Sequence, residues 1–314
     1  MRTTERGLLV VLALATLACG PQPAADSASG VEEAFDQEQA FADLAAIVGL
    51  GPRTPGSPGL QATRDYLLPR LQAAGWSVQE QAFLSATPRG EIEFVNVRAR
   101  FGTEDFQGWD SVRAILGGHI DTKFYDEFVF VGANDAGSST ALLLEAARAL
   151  ATKPELARQV ELVWFDGEEA IVNYTATDGL YGSRFYAREL RKRPLAERPA
   201  FGLIVDMVAD KNLRIALPSD TPGWMREGIF RAAREVNARE VFRLHHGTVL
   251  DDHVPLQQAG VPMANLIQIN LVMFPSYWHT AEDTLDKLSA ESLGKSARTA
   301  LRFLENFLLR EPRK

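Results

Sequence analysis

Charged and apolar residues alternate at helical spacing over residues 31–48, with Phe35, Phe41, Leu44, Ile47 and Val48 recurring on one side, which predicts an amphipathic helix. Residues 51–59 (GPRTPGSPG) hold three prolines and three glycines and predict a loop. A second amphipathic helix is predicted over 61–74, ending before Gly75. Strand-like runs follow at 76–83, 92–101 and 112–116, the last leading into Gly117 and Gly118. From there helices at 136–151, 181–191, 223–237 and 290–309 alternate with apolar strands at 159–165, 203–208 and 261–269. Elements of these lengths in this order predict an α/β fold, a mostly parallel central sheet covered by helices on both faces. No internal repeat and no second linker interrupts the series, so one domain is expected.

The amino terminus follows a different pattern. Arg2 and Arg6 precede an uncharged apolar run over 7–17, then Ala18 and Cys19. The run is too short to span a bilayer as a stable anchor and reads as an export signal. Cys19, the single cysteine of the 314-residue chain, stands where a bacterial lipoprotein signal places its acylated cysteine, although Thr16-Leu17-Ala18 matches that signal imperfectly. Lipidation at Cys19 and an ordinary signal whose cysteine is discarded both fit. Residues 19–30 are small and polar and suit a flexible tether, which leaves 31–314 as the folded domain. An exported protein is therefore expected, periplasmic or tethered to the outer membrane as a lipoprotein, otherwise secreted, touching membrane only through that possible anchor. One cysteine forms no internal disulfide. A net charge of −8 leaves no basic footprint for nucleic acid.

Polar residues collect where the predicted strands end, which is where open α/β sheets place their sites. His119 and Asp121 stand two apart on an extended segment, so the carboxylate can back the imidazole; a solvated strand end reads the same way. Asp135 precedes a helix and fits either a ligand or a helix cap. Asp166, Glu168 and Glu169 follow buried apolar residues, and acids so close together repel unless a cation or a shared proton compensates. Asp206 interrupts an apolar strand and needs a partner. Asp251-Asp252-His253 and Trp278-His279-Thr280 complete the set, and three of the chain's five histidines fall within it. Carboxylates with imidazoles suit zinc with an open position for substrate.

In their order, His119-Ile120-Asp121, Asp135, Glu168-Glu169, Asp206 and His279 resemble the zinc-dependent aminopeptidase superfamily with a co-catalytic metal pair. The segments FDGEEA (165–170), DGLYGSR (178–184), DDHVP (251–255) and WHT (278–280) are similar to glutaminyl-peptide cyclotransferases in particular, and the likeness spans about residues 35 to 310. That resemblance implies one zinc held by Asp135, Glu169 and His279, with Glu168 as general acid/base. It also implies a carboxylate network of Asp206 and Asp251 around the leaving amine. Trp278, with Phe274 and Tyr174 beside the ligand motifs, would line an apolar pocket for an amino-terminal glutamine of a peptide. His119 and Asp206 match positions that hold a second metal in the aminopeptidases, so a two-metal aminopeptidase is the alternative reading, and a non-catalytic binding domain of the same fold a third. The chain departs from the cyclases at Tyr174, where they commonly have tryptophan, at Asn265, where some have histidine, and in a longer segment at 268–273. Animal cyclases also carry a disulfide that this chain cannot form.

Overall fold

The computed structural model describes residues 30–309 except 107, 109–110 and 271–272. The signal, Cys19 and most of the tether lie outside the described residues. Eight strands form one sheet: β1 (Trp76–Thr87), β2 (Gly90–Phe101), β3 (Ala114–His119), β4 (Val160–Phe165), β5 (Phe201–Asp206), β6 (Ile215–Leu217), β7 (Phe242–Leu244) and β8 (Met263–Gln268), in the order β1-β2-β4-β3-β5-β8-β6-β7. The four central strands β4, β3, β5 and β8 run parallel, while β2 and β6 pair antiparallel to β4 and β8 at either side. The parallel character expected from the sequence thus belongs to the centre, and the sheet as a whole is mixed.

Along the central strands successive side chains enter opposite cores, as the period of two requires. Leu116, Leu162, Trp164, Leu203, Val205 and Leu266 join one apolar cluster; Ile115, Val163, Phe165, Ile204 and Met263 join the other. The first is covered by α1 (Gln37–Gly49), α3 (Ser139–Ala151), the short α4 (Pro154–Ala157), α6 (Gly223–Glu235) and α8 (Ala290–Leu308), the second by α5 (Tyr181–Arg191) and α7 (His253–Gln258). Burial on both faces explains why these strands read as unbroken apolar runs. None of the described helices is long and apolar enough to cross a membrane.

Element boundaries follow caps. The expected helix over 31–48 divides into a short 3-10 turn and α1, because Asp36 accepts from the Glu38 and Gln39 amides at 3.0 and 3.1 Å. Helix α2 (Pro58–Ala73) begins inside the segment expected as loop: Ser57 accepts from the Leu60 amide and Pro58 takes the first helical position. β3 continues through Gly117 and Gly118 to His119. A Cβ on Gly118 would come within 2.6 Å of the Val205 carbonyl, so the close approach of β5 depends on this glycine. Three-residue β6 and β7 and six-residue α7 are too short to show a period, and the sequence pattern missed them.

A buried ion network links β2, β4 and α5. Glu161 of β4, fully buried, accepts from Arg98 Nε at 2.7 Å and from Tyr186 Oη at 2.9 Å, and it also pairs with Arg100 Nε. Burial raises the Glu161 carboxyl, yet the two guanidiniums outweigh it and hold it below its ordinary value. Replacing Glu161 by leucine would leave both guanidiniums buried without their carboxylate, with an expected loss of about 3–5 kcal/mol. A urea titration reads this as a lower midpoint; an unchanged midpoint would contradict it.

Candidate active site and metal centre

Because β3, β4, β5 and β8 are parallel, their carboxyl ends share one edge, and the polar residues following them meet there. His119 closes β3, Asp206 closes β5, and β4 runs into Asp166-Gly167-Glu168-Glu169. Asp166 is structural: its Oδ2 accepts from the Val95 amide of β2 at 2.7 Å. Gly167 turns the chain with φ +69°, and a Cβ there would lie 2.4 Å from the Phe94 ring. The two glutamates that follow are aimed by Asp121, whose oxygens accept from the Glu168 and Glu169 amides at 3.1 and 3.2 Å. The expected backing of His119 by Asp121 is the weaker contact, at 3.5 Å.

A second buried aspartate performs the same service for the opposite wall. Asp283 accepts from the Asn134 and Asp135 amides at 2.8 and 3.1 Å. Asp135 lies in the distorted turn Ala133–Ser138, joined to Ala136 by a cis peptide, and is not the cap of α3, whose N-cap is Ser138. Beneath it Arg53, fully buried, donates to the carbonyls of Ile120, Val131 and Gly132 at 3.1, 2.8 and 2.8 Å. Burial draws the Arg53 guanidinium down to about 10, against Asp283, Asp121 and Asp135, which favour its charge. Neither Asp283 nor Arg53 was singled out from the sequence: one follows Glu282 in a polar stretch four residues past His279, the other is a lone arginine in a proline-rich stretch.

Two groups of candidate ligands share Asp135. Its Oδ2 lies 3.3 Å from His279 Nε2, which is 3.0 Å from Glu169 Oε1; its Oδ1 lies 3.1 Å from His119 Nε2, which is 3.2 Å from Asp206 Oδ1. In each group, Asp135-Glu169-His279 and His119-Asp135-Asp206, the donor atoms all fall within 4.8 Å of one another. Two carboxylate oxygens and an imidazole nitrogen converging in a buried place match the chemistry of a divalent-cation site. Burial disfavours the charged form of His279, but Glu169 and Asp135 outweigh it and push the imidazole up to about 10, a measure of the field at Nε2. His279 also adopts a left-handed φ of +56° and Met207, next to Asp206, one of +50°. Such conformations in residues with side chains concentrate at functional sites.

These groups open into a cavity of about 350 Å³ lined by both acidic and apolar side chains. Glu168, Asp206 and Asp251 line it, facing Met207, Ile267, Ile269, Phe274 and Trp278. The Phe274 and Trp278 rings stack at 4.3 Å, and Trp278 stacks on His279 at 3.8 Å. Each acid takes its bond from a different neighbour. Glu168 Oε2 accepts from Tyr174 Oη at 2.7 Å, Asp206 faces His119, and Asp251 Oδ2 accepts from Asn265 Nδ2 at 2.5 Å. Burial keeps the Glu168 carboxyl well above the usual carboxylate range, despite the opposing charge of His119. Burial likewise raises Asp206 to about 7.

The structure brings together all ten residues singled out for the site: His119, Asp135, Glu168, Glu169, Tyr174, Asp206, Asp251, Phe274, Trp278 and His279. His253, grouped with them in the sequence, instead opens α7 and faces Asp220 Oδ2 at 3.3 Å. The loop at 268–273 contributes a bridge between Asn270 and Met273, with Met273 exposed at the cavity rim.

Residues 96–304 match Peptidase family M28. The glutaminyl-peptide cyclotransferase of Bothrops jararaca is 32% identical, over 77% of this chain and 75% of its own length. The crystal structure of an Acidobacteriales bacterium glutaminyl cyclase superposes with a TM-score of 0.78 at 31% identity, covering 92% of this chain and 100% of that one. A Zn-dependent exopeptidase from Parabacteroides distasonis superposes with a TM-score of 0.77 at 27% identity, covering 88% and 99%. With this fold and this site, the chain belongs to peptidase family M28 and, within it, to the glutaminyl-peptide cyclotransferases.

Proposed function

We propose that the protein converts an amino-terminal glutamine of peptides into pyroglutamate with release of ammonia, using one zinc ion held by Asp135, Glu169 and His279. The observation that carries this reading is a buried glutamate, Glu168, adjacent in sequence to a candidate ligand and facing a cavity with an apolar wall. Zinc bound there supplies a Lewis acid toward the γ-carboxamide. The wall of Trp278, Phe274, Ile267 and Ile269 takes the aliphatic part of the glutamine side chain and excludes water from the reacting carbon. The peptide's own α-amine forms the new C–N bond, the bond to the side-chain nitrogen breaks, and no outside nucleophile enters. Glu168 accepts the proton given up by the amine and returns it to the departing nitrogen, a role for which positioned carboxyl groups contribute about 10²–10⁴-fold. Asp206 and Asp251 offer acceptors to the N–H groups of the amine and the amide, held in place by His119 and Asn265.

A specific observation favours the second reading, a two-metal aminopeptidase: His119, Asp135 and Asp206 form a further ligand-type group on the same bridging aspartate. Mass spectrometry of a Gln-initiated peptide after incubation separates the two. Cyclisation shows as loss of one ammonia, is abolished by chelation and returns with one equivalent of zinc. Release of a free amino acid, dependent on two equivalents of metal, would replace the cyclase with the hydrolase.

The adjacent acids divide the work. Glu168→Gln is expected to keep zinc and the fold while losing about 10²–10⁴-fold in turnover. Glu169→Ala and His279→Ala should lose the metal and still fold, because apolar burial supplies most of the stability of a domain this large. Metal analysis and circular dichroism check both, and a Gln variant as active as the parent removes Glu168 from its role.

The export signal and Cys19 support a tethered enzyme acting on peptide amino termini outside the cytoplasm. Labelling of cells with a radioactive fatty acid should mark the protein and fail to mark Cys19→Ala; an unlabelled parent would mean that the cysteine is discarded.

A further inference from the structure

Glu169 turns its two oxygens to different partners. Oε1 faces His279 Nε2 at 3.0 Å, on the side of the metal cluster, while Oε2 accepts from the Tyr174 hydroxyl at 3.0 Å. The same hydroxyl lies 2.7 Å from Glu168 Oε2. A phenol has one proton, so these two carboxylates share a single donor standing between them. Lys123 reinforces the arrangement from the far side: its Nζ donates to the Ala170 carbonyl at 2.7 Å and lies 3.9 Å from Glu169 Oε2 and 5.4 Å from the centre of the Tyr174 ring.

Tyr174 is held in place by its surroundings. Asp178 accepts from the amides of Ile171, Val172 and Asn173 at 2.8, 3.0 and 3.0 Å and from Tyr181 Oη at 2.9 Å, which pins the segment carrying the ring. The ring lies over Gly179, where a Cβ would come within 2.8 Å of it. A Tyr174 hydroxyl so fixed constrains both carboxylates at once.

We propose that the Tyr174 hydroxyl is a positioning group shared by Glu168 and Glu169. It occupies Glu169 Oε2, so that Glu169 meets the metal through Oε1, and it aims Glu168 into the cavity. This rests on the reading that Asp135, Glu169 and His279 hold the metal and that Glu168 carries the proton. A phenylalanine at this place would still build the pocket wall and would supply no such donor. Partners that orient a ligand in this way are commonly worth about 10–100-fold in metal affinity or activity.

The test is Tyr174→Phe, which keeps the ring and removes the donor. Zinc affinity, read by competition with a chelator in the absence of substrate, is expected to weaken about tenfold or more. With a Gln-initiated peptide at saturating zinc, kcat should fall by about tenfold while KM stays within about twofold, the pattern of lost orientation rather than lost binding. Zinc affinity and kcat both within about twofold of the parent would overturn the proposal, as would a raised KM with unchanged kcat, which marks a wall residue only. If the Phe variant does not fold, Tyr174→Met also lacks a donor and the same weakening of zinc affinity is expected of it. Zinc affinity is measured without turnover, so a parent that fails to cyclise glutamine overturns the proposed activity and leaves the zinc result to decide the role of Tyr174.

Discussion

Everything about this site depends on accommodating concentrated negative charge in a place with little water. Asp121, Asp135, Asp166, Glu168, Glu169, Asp206, Asp251, Asp252 and Asp283 are all buried around one end of the sheet. Unpaired, such carboxylates would be expelled or protonated. The fold answers in three ways. Backbone amides take up Asp121, Asp166 and Asp283, the Arg53 guanidinium lies beneath, and His119 and His279 face Asp135, Glu169 and Asp206. What is left over is a cluster whose chemistry suits a divalent cation.

The aspartates that accept pairs of consecutive amides act as geometric devices as much as electrostatic ones. Asp121 holds the turn carrying Glu168 and Glu169, and Asp283 holds the turn carrying Asp135, so the ligands of one cluster are aimed from two directions. This arrangement supports chemistry on a small amide because the apolar wall of Phe274 and Trp278 stands directly against His279. Buried acids and apolar side chains line the same cavity.

Much of this was legible in the sequence, for identifiable reasons. Central strands covered on both faces must be apolar throughout, so β4, β5 and β8 stand out as runs, and any acid at their ends is conspicuous. Helix α5 was read with its observed limits, because its apolar positions recur over three turns. The ligand-type residues stood out because histidine is scarce in this chain and acids rarely follow buried strands. By contrast β6 and β7, three residues each, carry too little pattern to detect. The start of α2 was hidden by prolines and glycines that read as loop until Ser57 and Pro58 are recognised as a cap and a first turn.

By itself, then, the sequence determined the alternation of elements, the sheet they build and the residue types gathered at the strand ends, since periodicity and burial act locally along the chain. Pairing between distant positions was decided only in three dimensions. The role of Arg53 under Asp135, of Asp283 behind it, and of the Tyr174 hydroxyl between two glutamates depends on distances of about 3 Å between segments that no spacing in the chain encodes. The same holds for His253, which the sequence grouped with the polar clusters and the fold turned toward Asp220. A hydrogen bond is a property of two positions in space, and only the folded sheet, by aligning four parallel strand ends, specifies which positions those are.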